Sequence, residues 1–193
     1  MATTSRFFRD PPGSFFLFGP RGTGKSTWLN ANYPNAVRVD LLDPESQRLY
    51  QARPERLREL VAGHPAARDI VIDEIQKAPA LLDVVQQLVE TDRQRRFILT
   101  GSSARKLRRG AANLLAGRLV QAEMHPFMAA ELGAAFSLPR ALNIGLVPLV
   151  WTAPDPAATL RAYAGLYLRE EVQAEALVRN IGAFARFLEA ISF

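Results

Sequence analysis

The stretch Gly19-Pro20-Arg21-Gly22-Thr23-Gly24-Lys25-Ser26 decides the fold. Two glycines separated by four residues, then a lysine and a hydroxyl residue, form the pattern of a phosphate-binding P-loop. The glycines let the loop curl so that successive backbone N–H groups face phosphate oxygens. Lys25 is expected to reach the β and γ phosphates, and Ser26 to offer its hydroxyl to Mg²⁺. The segment from Gly19 to Thr27 is therefore predicted to bind ATP with Mg²⁺.

The residues around this loop predict an α/β fold. An apolar run precedes the loop and a helical pattern follows it, and short apolar runs then alternate with helical segments. Such alternation predicts a parallel sheet covered by helices on both faces. The predicted strands are Ser14–Phe18, Val37–Leu41, Ile70–Asp73, Phe97–Thr100 and Leu119–Met124. Helices are predicted over Pro54–Val61, after Pro79 and over Ser103–Leu115.

The pattern changes after Met124. The stretch Gly133–Pro154 is rich in proline and is predicted to be irregular, whereas the chain from Asp155 onward is predicted to be helical. We therefore predict a P-loop domain over residues 1–133 and a linker with a helical extension over residues 134–193. The final residues, Ile191-Ser192-Phe193, are apolar and lack a capping signal, so we expect the last helix to pack against a further segment.

A second motif, which is acidic, lies at the end of the third predicted strand. Asp73 and Glu74 end an apolar run, and two carboxylates there are costly unless they meet a cation or water. We predict that Asp73 holds Mg²⁺, and that Glu74 polarises the attacking water as a general base. A glutamate at this place favours an ATPase over a GTPase or a small-molecule kinase.

Hydroxyl residues end the fourth predicted strand. Thr100 is the preferred candidate for a contact with the γ-phosphate or the attacking water. The alternative is that Ser102 or Ser103 caps the helix that follows. Both interpretations stay open at the level of sequence.

Arg118 stands between a predicted helix and the last predicted strand. An arginine there suits a finger that reaches the γ-phosphate of a neighbouring subunit. The alternative is an ordinary surface arginine, since the chain holds 21 arginines and only three lysines.

Composition limits the remaining classes. The chain has no cysteine, which excludes disulfides and thiolate metal sites and suits a cytoplasmic protein. No apolar run is long enough to span a bilayer. The net charge of +5 and a crowd of basic residues favour nucleic acid or a subunit interface, although a solvated face explains them equally well. That crowd comprises Arg93, Arg95, Arg96, Arg105, Lys106, Arg108 and Arg109.

Three further polar residues have weaker claims. His64 and His125 lack metal-ligand spacing and are predicted to be structural. Asp40 ends the second predicted strand, near the ligand-binding edge of the sheet. A turn role with Asp43-Pro44 is preferred for Asp40 over a role at the site.

Taken together, these motifs resemble the AAA+ ATPases. More narrowly, the chain resembles a bacterial and archaeal group in which an AAA_14-type domain precedes a DUF4143 region. The matching stretches are Phe16–Thr27, Ile72–Lys77, Leu99–Ser103, Leu115–Arg118 and Tyr167–Val172. The resemblance implies a five-stranded parallel sheet with the P-loop strand beside the third and fourth strands, Thr100 at the sensor-1 position, and Arg118 as an arginine finger. It also implies a homo-oligomer, and DNA binding through a C-terminal region that is mostly absent from this chain.

Three functions remain in competition. The first is a hydrolysing AAA+ switch or motor. The second is a nucleotide-gated, DNA-associated module with little turnover. The third is a P-loop kinase, which would need an acceptor-binding lid that does not stand out in the sequence.

Overall fold

The computed structural model describes residues 4–102, 118–167 and 180–191. Two compact units make up the chain, Met1–Phe127 and Met128–Phe193. The boundary predicted between residues 133 and 134 stays a prediction. No helix within the described ranges is long and apolar enough to cross a membrane.

The first unit contains a parallel sheet of five strands, as predicted. The strands are β1 (Phe15–Phe18), β2 (Val37–Asp40), β3 (Asp69–Asp73), β4 (Arg96–Gly101) and β5 (Val120–Glu123). Their order across the sheet is β2-β3-β4-β1-β5. The expectation that the P-loop strand adjoins the third and fourth strands is right for β4 and wrong for β3. Because β4 is inserted between β1 and β3, the end of β4 lies between the P-loop and the acidic motif.

Four helices accompany the described part of this sheet: α1 (Lys25–Asn32), α2 (Pro44–Ala52), α3 (Arg56–Ala62) and α4 (Leu81–Thr91). Asp43 caps α2, since its carboxylate accepts a hydrogen bond from Ser46 N–H at 2.8 Å, and Pro44 occupies the first turn. The predicted helices after Pro79 and over Pro54–Val61 correspond to α4 and α3. The predicted helix Ser103–Leu115 lies outside the described residues.

Alternating side chains of β1 fill two apolar cores, one on each face of the sheet. Phe16 and Phe18 stack with ring centroids 5.3 Å apart, in the core shared with α2, α3 and α4. Phe15 and Leu17 point the other way, into the core that α1 supplies with Trp28. The central strands β1, β3 and β4 are therefore buried on both faces, which explains why they read as continuous apolar runs, whereas most residues of the edge strands β2 and β5 are exposed or half-buried.

The second unit is helical within its described residues. Its helices are α5 (Ala129–Leu132), α6 (Leu138–Ile144), α7 (Pro148–Trp151), α8 (Pro156–Tyr167) and α9 (Ile181–Ile191). The prediction that Gly133–Pro154 is irregular is wrong, because α6 and α7 lie within it. Each has a proline in its first turn, where the missing N–H costs nothing, and Ser137 caps α6. Arg140 links the two helices by donating to the carbonyl oxygen of Trp151 at 2.8 Å.

Candidate nucleotide-binding site

The candidate site lies where the parallel strands end. The carboxyl ends of β1, β3 and β4 meet at one edge, which we call the carboxyl edge, because parallel strands share a direction. This edge brings the P-loop after β1 together with Asp73 at the end of β3 and Thr100 near the end of β4. Ligands of open α/β sheets bind at this edge.

The loop Gly19–Gly24 has the backbone that its glycines predict. Gly22 and Gly24 have φ angles of 80° and 88°, in the left-handed region that favours glycine. A Cβ on Gly19 would lie 2.2 Å from the carbonyl oxygen of Met124, so the loop can pass the end of β5 only without a side chain. Helix α1 begins at Lys25, directly after the loop, and directs the positive end of its dipole there.

Lys25 is buried against the loop itself. Its ammonium donates to the carbonyl oxygen of Gly19 at 2.6 Å and to that of Pro20 at 3.2 Å. The hydroxyl of Thr23 also donates to Pro20 O, at 2.9 Å, and Thr23 is fully buried. These contacts fix the shape of the loop and place a cation inside its curve.

The Ser26 hydroxyl and the Asp73 carboxylate are brought together across the site. Ser26 Oγ donates to Asp73 Oδ2 at 2.8 Å, although the two residues are 47 positions apart in the chain. A hydroxyl and a carboxylate in contact form an oxygen pair of the kind that Mg²⁺ accepts, with water and phosphate oxygens as its other ligands. The residues present therefore fit a magnesium ion, and the assignment of Ser26 and Asp73 as its ligands stays a prediction.

Thr100 links the acidic motif to the sheet. Its side chain is fully buried, and its hydroxyl donates a hydrogen bond to Asp73 Oδ1. The oxygen of the Thr100 hydroxyl also accepts a hydrogen bond from the Glu74 N–H at 3.0 Å. The hydroxyl thus holds both Asp73 and Glu74. The sequence placed Thr100 at the site, but it gave no indication of these two contacts. The alternative, in which Ser102 or Ser103 caps the following helix, stays a prediction, because that helix lies outside the described residues.

Glu74 has an unusual backbone and a partner that the sequence analysis missed. Its φ of 58° and ψ of 47° make it the only non-glycine residue with positive φ in the described ranges. Gln76 donates a hydrogen bond from its side-chain amide to the Glu74 carboxylate. The identity of residue 76 alone carried no signal for this contact, because it depends on the tight turn at Glu74.

Arg118 lies at the opposite edge of the sheet. It precedes β5, whose first residue, Val120, is paired with Phe15 at the start of β1. A strand of four residues spans roughly 13 Å, so the start of β5, which Arg118 precedes, lies about that far along the sheet from the loop that follows β1. Its guanidinium pairs with Glu90 of α4 at 2.7 Å, and both side chains are about two-fifths exposed, 41% and 45%. The structure therefore does not bring Arg118 to the P-loop of its own chain.

The described members of the basic cluster between residues 93 and 109 are of two kinds. Arg95 and Arg96 are tied into the fold: Arg95 pairs with Asp92 at 2.8 Å, and Arg96 pairs with Asp69 at 2.7 Å. Arg93 is exposed and lines a cleft of about 330 Å³ that it shares with Arg118. Arg105, Lys106, Arg108 and Arg109 lie outside the described residues.

The minor candidates have structural contacts. Asp40 Oδ1 accepts the Leu42 N–H at 2.8 Å, which is the preferred turn role. His64 Nδ1 lies 2.8 Å from the carbonyl oxygen of Leu60, and His125 is exposed. Among the described residues, no three His, Cys, Asp or Glu side chains form a metal-binding group.

Arg6 is a second residue that the sequence analysis missed. Its guanidinium donates to the carbonyl oxygen of Thr23 at 2.7 Å and to that of His125 at 2.5 Å, and it lies 5.0 Å from the centre of the Phe127 ring. It thereby ties the P-loop to the segment that follows β5.

The sequence and the fold identify the class. Residues 12–133 match the AAA_14 family model, which describes an AAA domain. The chain therefore belongs to the AAA_14 family of AAA domains, and its P-loop fold is of the AAA+ type. No curated protein matches the sequence.

Several solved structures are similar to this chain in fold. Domain III of the DnaA replication initiation protein of Thermotoga maritima has a TM-score of 0.42 and 15% identity, covering 83% of this chain and 78% of that one. The ORC2 protein of Aeropyrum pernix, in ADPNP and ADP complexes, has a TM-score of 0.41 and 14% identity, covering 84% and 57%. A DnaA initiator bound to AMPPCP and single-stranded DNA has a TM-score of 0.44 and 12% identity, covering 84% and 58%. The chain thus spans a little over half the length of the last two.

Proposed function

We propose that this chain binds ATP with Mg²⁺ at the P-loop and hydrolyses it, acting as a molecular switch or motor. The observation that supports this most is the contact between Ser26 and Asp73, 2.8 Å apart. It joins the loop that would hold the phosphates to the carboxylate that would hold the metal. When bound, Mg²⁺ would offset the negative charge of the phosphates.

Each part of the site has a distinct role in this proposal. The backbone of Gly19–Gly24, with Pro20, Arg21, Thr23 and Thr27 around it, surrounds the phosphates, and Lys25 supplies the positive charge. Glu74 accepts a proton from the attacking water. Thr100 holds Asp73 and Glu74 in place, as its two hydrogen bonds to them suggest.

Arg118 has a role only between subunits in this proposal. Since Arg118 and the P-loop lie at opposite edges of the sheet, a neighbouring copy would receive it. An exposed ion pair such as Arg118–Glu90 is worth about 1 kcal/mol or less, so this pair by itself does little to keep Arg118 from a neighbouring phosphate. We therefore propose a homo-oligomer in which Arg118 completes the site of the next subunit.

Two further parts of the proposal rest on the sequence alone. A DUF4143 region after this domain would supply the contact with DNA. We propose a cytoplasmic location because the chain has no cysteine, which suits a reducing compartment.

The test is ATP turnover measured at increasing protein concentration, with Mg²⁺ or with EDTA, and with or without duplex DNA. The proposal predicts turnover that needs Mg²⁺ and whose rate per chain rises with concentration, because association completes the site. ATP binding without turnover under every condition would contradict hydrolysis and favour the nucleotide-gated module.

A further inference from the structure

The side chain of Gln76 folds back onto the Glu74 carboxylate. Residues Ile75–Lys77 form a single tight helical turn, in which Lys77 N–H donates to Glu74 O at 2.9 Å. This turn places the Gln76 amide nitrogen in hydrogen-bond contact with the carboxylate of Glu74. A hydrogen bond to a charged acceptor is about twice as strong as one between neutral groups.

The backbone of Glu74 is held independently of its side chain. Its N–H donates to the Thr100 hydroxyl at 3.0 Å, and its φ of 58° is that of a left-handed residue. A non-glycine residue in this conformation costs about 1 kcal/mol or more and persists only where its surroundings impose it. With the backbone fixed, the orientation of the carboxylate depends on side-chain contacts such as the one from Gln76.

The opposite end of the Gln76 amide is buried without a partner. Gln76 Oε1 is the only buried side-chain oxygen or nitrogen within the described ranges that makes no hydrogen bond. Leaving such an acceptor unsatisfied costs about 1–3 kcal/mol. A residue chosen only to stabilise the turn would not bear that cost, because a smaller apolar side chain would avoid it.

The neighbouring strand leaves space for this oxygen. A Cβ added to Gly101, at the end of β4, would lie 2.9 Å from Gln76 Oε1, which is closer than real Cβ contacts come. Gly101 does not have a positive φ, so its backbone does not require glycine. The close approach of Gln76 Oε1 explains why residue 101 has no side chain. The absence of a side chain at residue 101 therefore lets Gln76 reach Glu74.

We propose that Gln76 is a positioning residue for ATP hydrolysis, which holds the Glu74 carboxylate in the orientation that the attacking water needs. This inference rests on the proposed function, in which Glu74 is the general base. A neutral amide suits the task because it donates a hydrogen bond and leaves the charge of the carboxylate in place. A base that is held in place gains rate because its orientation is fixed before the reaction.

The first test is Gln76→Ala, assayed for single turnover of ATP and for ATP affinity. The expected result is a fall of at least tenfold in the rate constant of hydrolysis, here called kcat, with ATP affinity within about twofold of wild type. Thermal stability should not fall, because the variant also removes the unpartnered oxygen. The matched control is Gln51→Ala. Gln51 donates to Lys77 O at 2.7 Å, so it anchors the same turn without touching Glu74, and its loss should leave kcat unchanged.

The second test uses Gly101→Ala, whose methyl group displaces Gln76 from the side away from Glu74. Alone it should lower kcat as Gln76→Ala does. In a Gln76→Ala background it should cause no further loss, because the group it displaces is gone. Equal losses from Gly101→Ala in both backgrounds, or wild-type kcat in Gln76→Ala, would overturn the role of Gln76. A wild-type protein that binds ATP but never hydrolyses it would instead contradict the proposed function itself.

Discussion

The ammonium of Lys25 lies 2.6 Å from the carbonyl oxygen of Gly19, so the first residue of the loop and the first residue of α1 are held together by the side chain of Lys25. This contact keeps the positive charge inside the curve of the loop. The same place is where the phosphates of a nucleotide would lie.

Replacing Lys25 by alanine should therefore weaken ATP binding by at least tenfold, because the loop loses its buried cation. The fold should persist, as judged by far-UV circular dichroism. Isothermal titration with ATP measures the affinity, and Lys77→Ala is the matched control, since Lys77 lies in the turn after Glu74. Unchanged affinity in a folded Lys25 variant would remove the P-loop from the account.

Thr100→Val should lower both stability and turnover. Valine keeps the shape of threonine but loses the bond to Asp73 and the acceptor of the Glu74 N–H. A fully buried N–H left without a partner costs about 1–3 kcal/mol, so we expect the partly buried Glu74 N–H to cost less, and urea unfolding measures the loss. Thr100→Ser, which retains the hydroxyl, should keep most of the turnover. If the valine variant matched wild type in rate, the Thr100 hydroxyl would have no part in hydrolysis.

Arg118→Ala should leave ATP affinity nearly unchanged and reduce turnover by about 10³-fold, the range found for an arginine supplied in trans. Mixing this variant with Glu74→Gln should recover part of the activity, because one mixed interface pairs an intact P-loop side with an intact arginine. Arg93→Ala, in the same cleft, is the control and should retain most of the rate. No recovery on mixing, with a rate independent of concentration, would make Arg118 a structural arginine.

Tyr33 makes the free energy of unfolding depend on pH in the alkaline range. Burial, with the hydrogen bond from its hydroxyl to Asp10, raises the pKa of Tyr33 above its ordinary value of 10.0. Between the pKa of Tyr33 in the unfolded chain, about 10, and its higher pKa in the folded chain, the unfolded chain loses the proton and the folded chain keeps it. The free energy of unfolding therefore falls as pH rises above about 10.

Tyr33→Phe should therefore show a shallower loss of stability between about pH 9 and pH 11 than wild type does. Urea midpoints across that range measure the two slopes, and the midpoints near pH 7 serve as the reference. Parallel slopes would show that Tyr33 titrates normally in the folded chain.

The sheet could be predicted from sequence because its central strands β1, β3 and β4 are buried on both faces. Strands such as Phe15–Phe18 and Asp69–Asp73 read as short apolar runs that end at a glycine loop or at acids. The helices of the second unit were harder to predict, because Pro139 and Pro148 indicate breaks in a sequence but lie in the first turns of α6 and α7. Whether a proline starts or ends a helix depends on the caps and packing around it.

The sequence predicts a role where a residue type has few physical uses, and it predicts none where the role depends on tertiary contacts. A lysine and a serine after a glycine loop have few other uses, so spacing predicts nucleotide and metal roles for Lys25 and Ser26, and these roles stay predictions. Gln76 could not, because its contact with Glu74 requires the left-handed backbone of Glu74. Arg6 is also far in sequence from the carbonyl of His125 that it binds, and no local pattern connects them.

The most direct measurement of the central claim is single-turnover hydrolysis of γ-labelled ATP by wild type and by Glu74→Gln, with ATP binding measured on the same samples. Glutamine keeps the shape of glutamate and still forms hydrogen bonds, but it cannot accept the proton of the attacking water. The account predicts that both proteins bind ATP with Mg²⁺ equally well and that only wild type releases labelled phosphate. Release of phosphate by Glu74→Gln at the wild-type rate would contradict it.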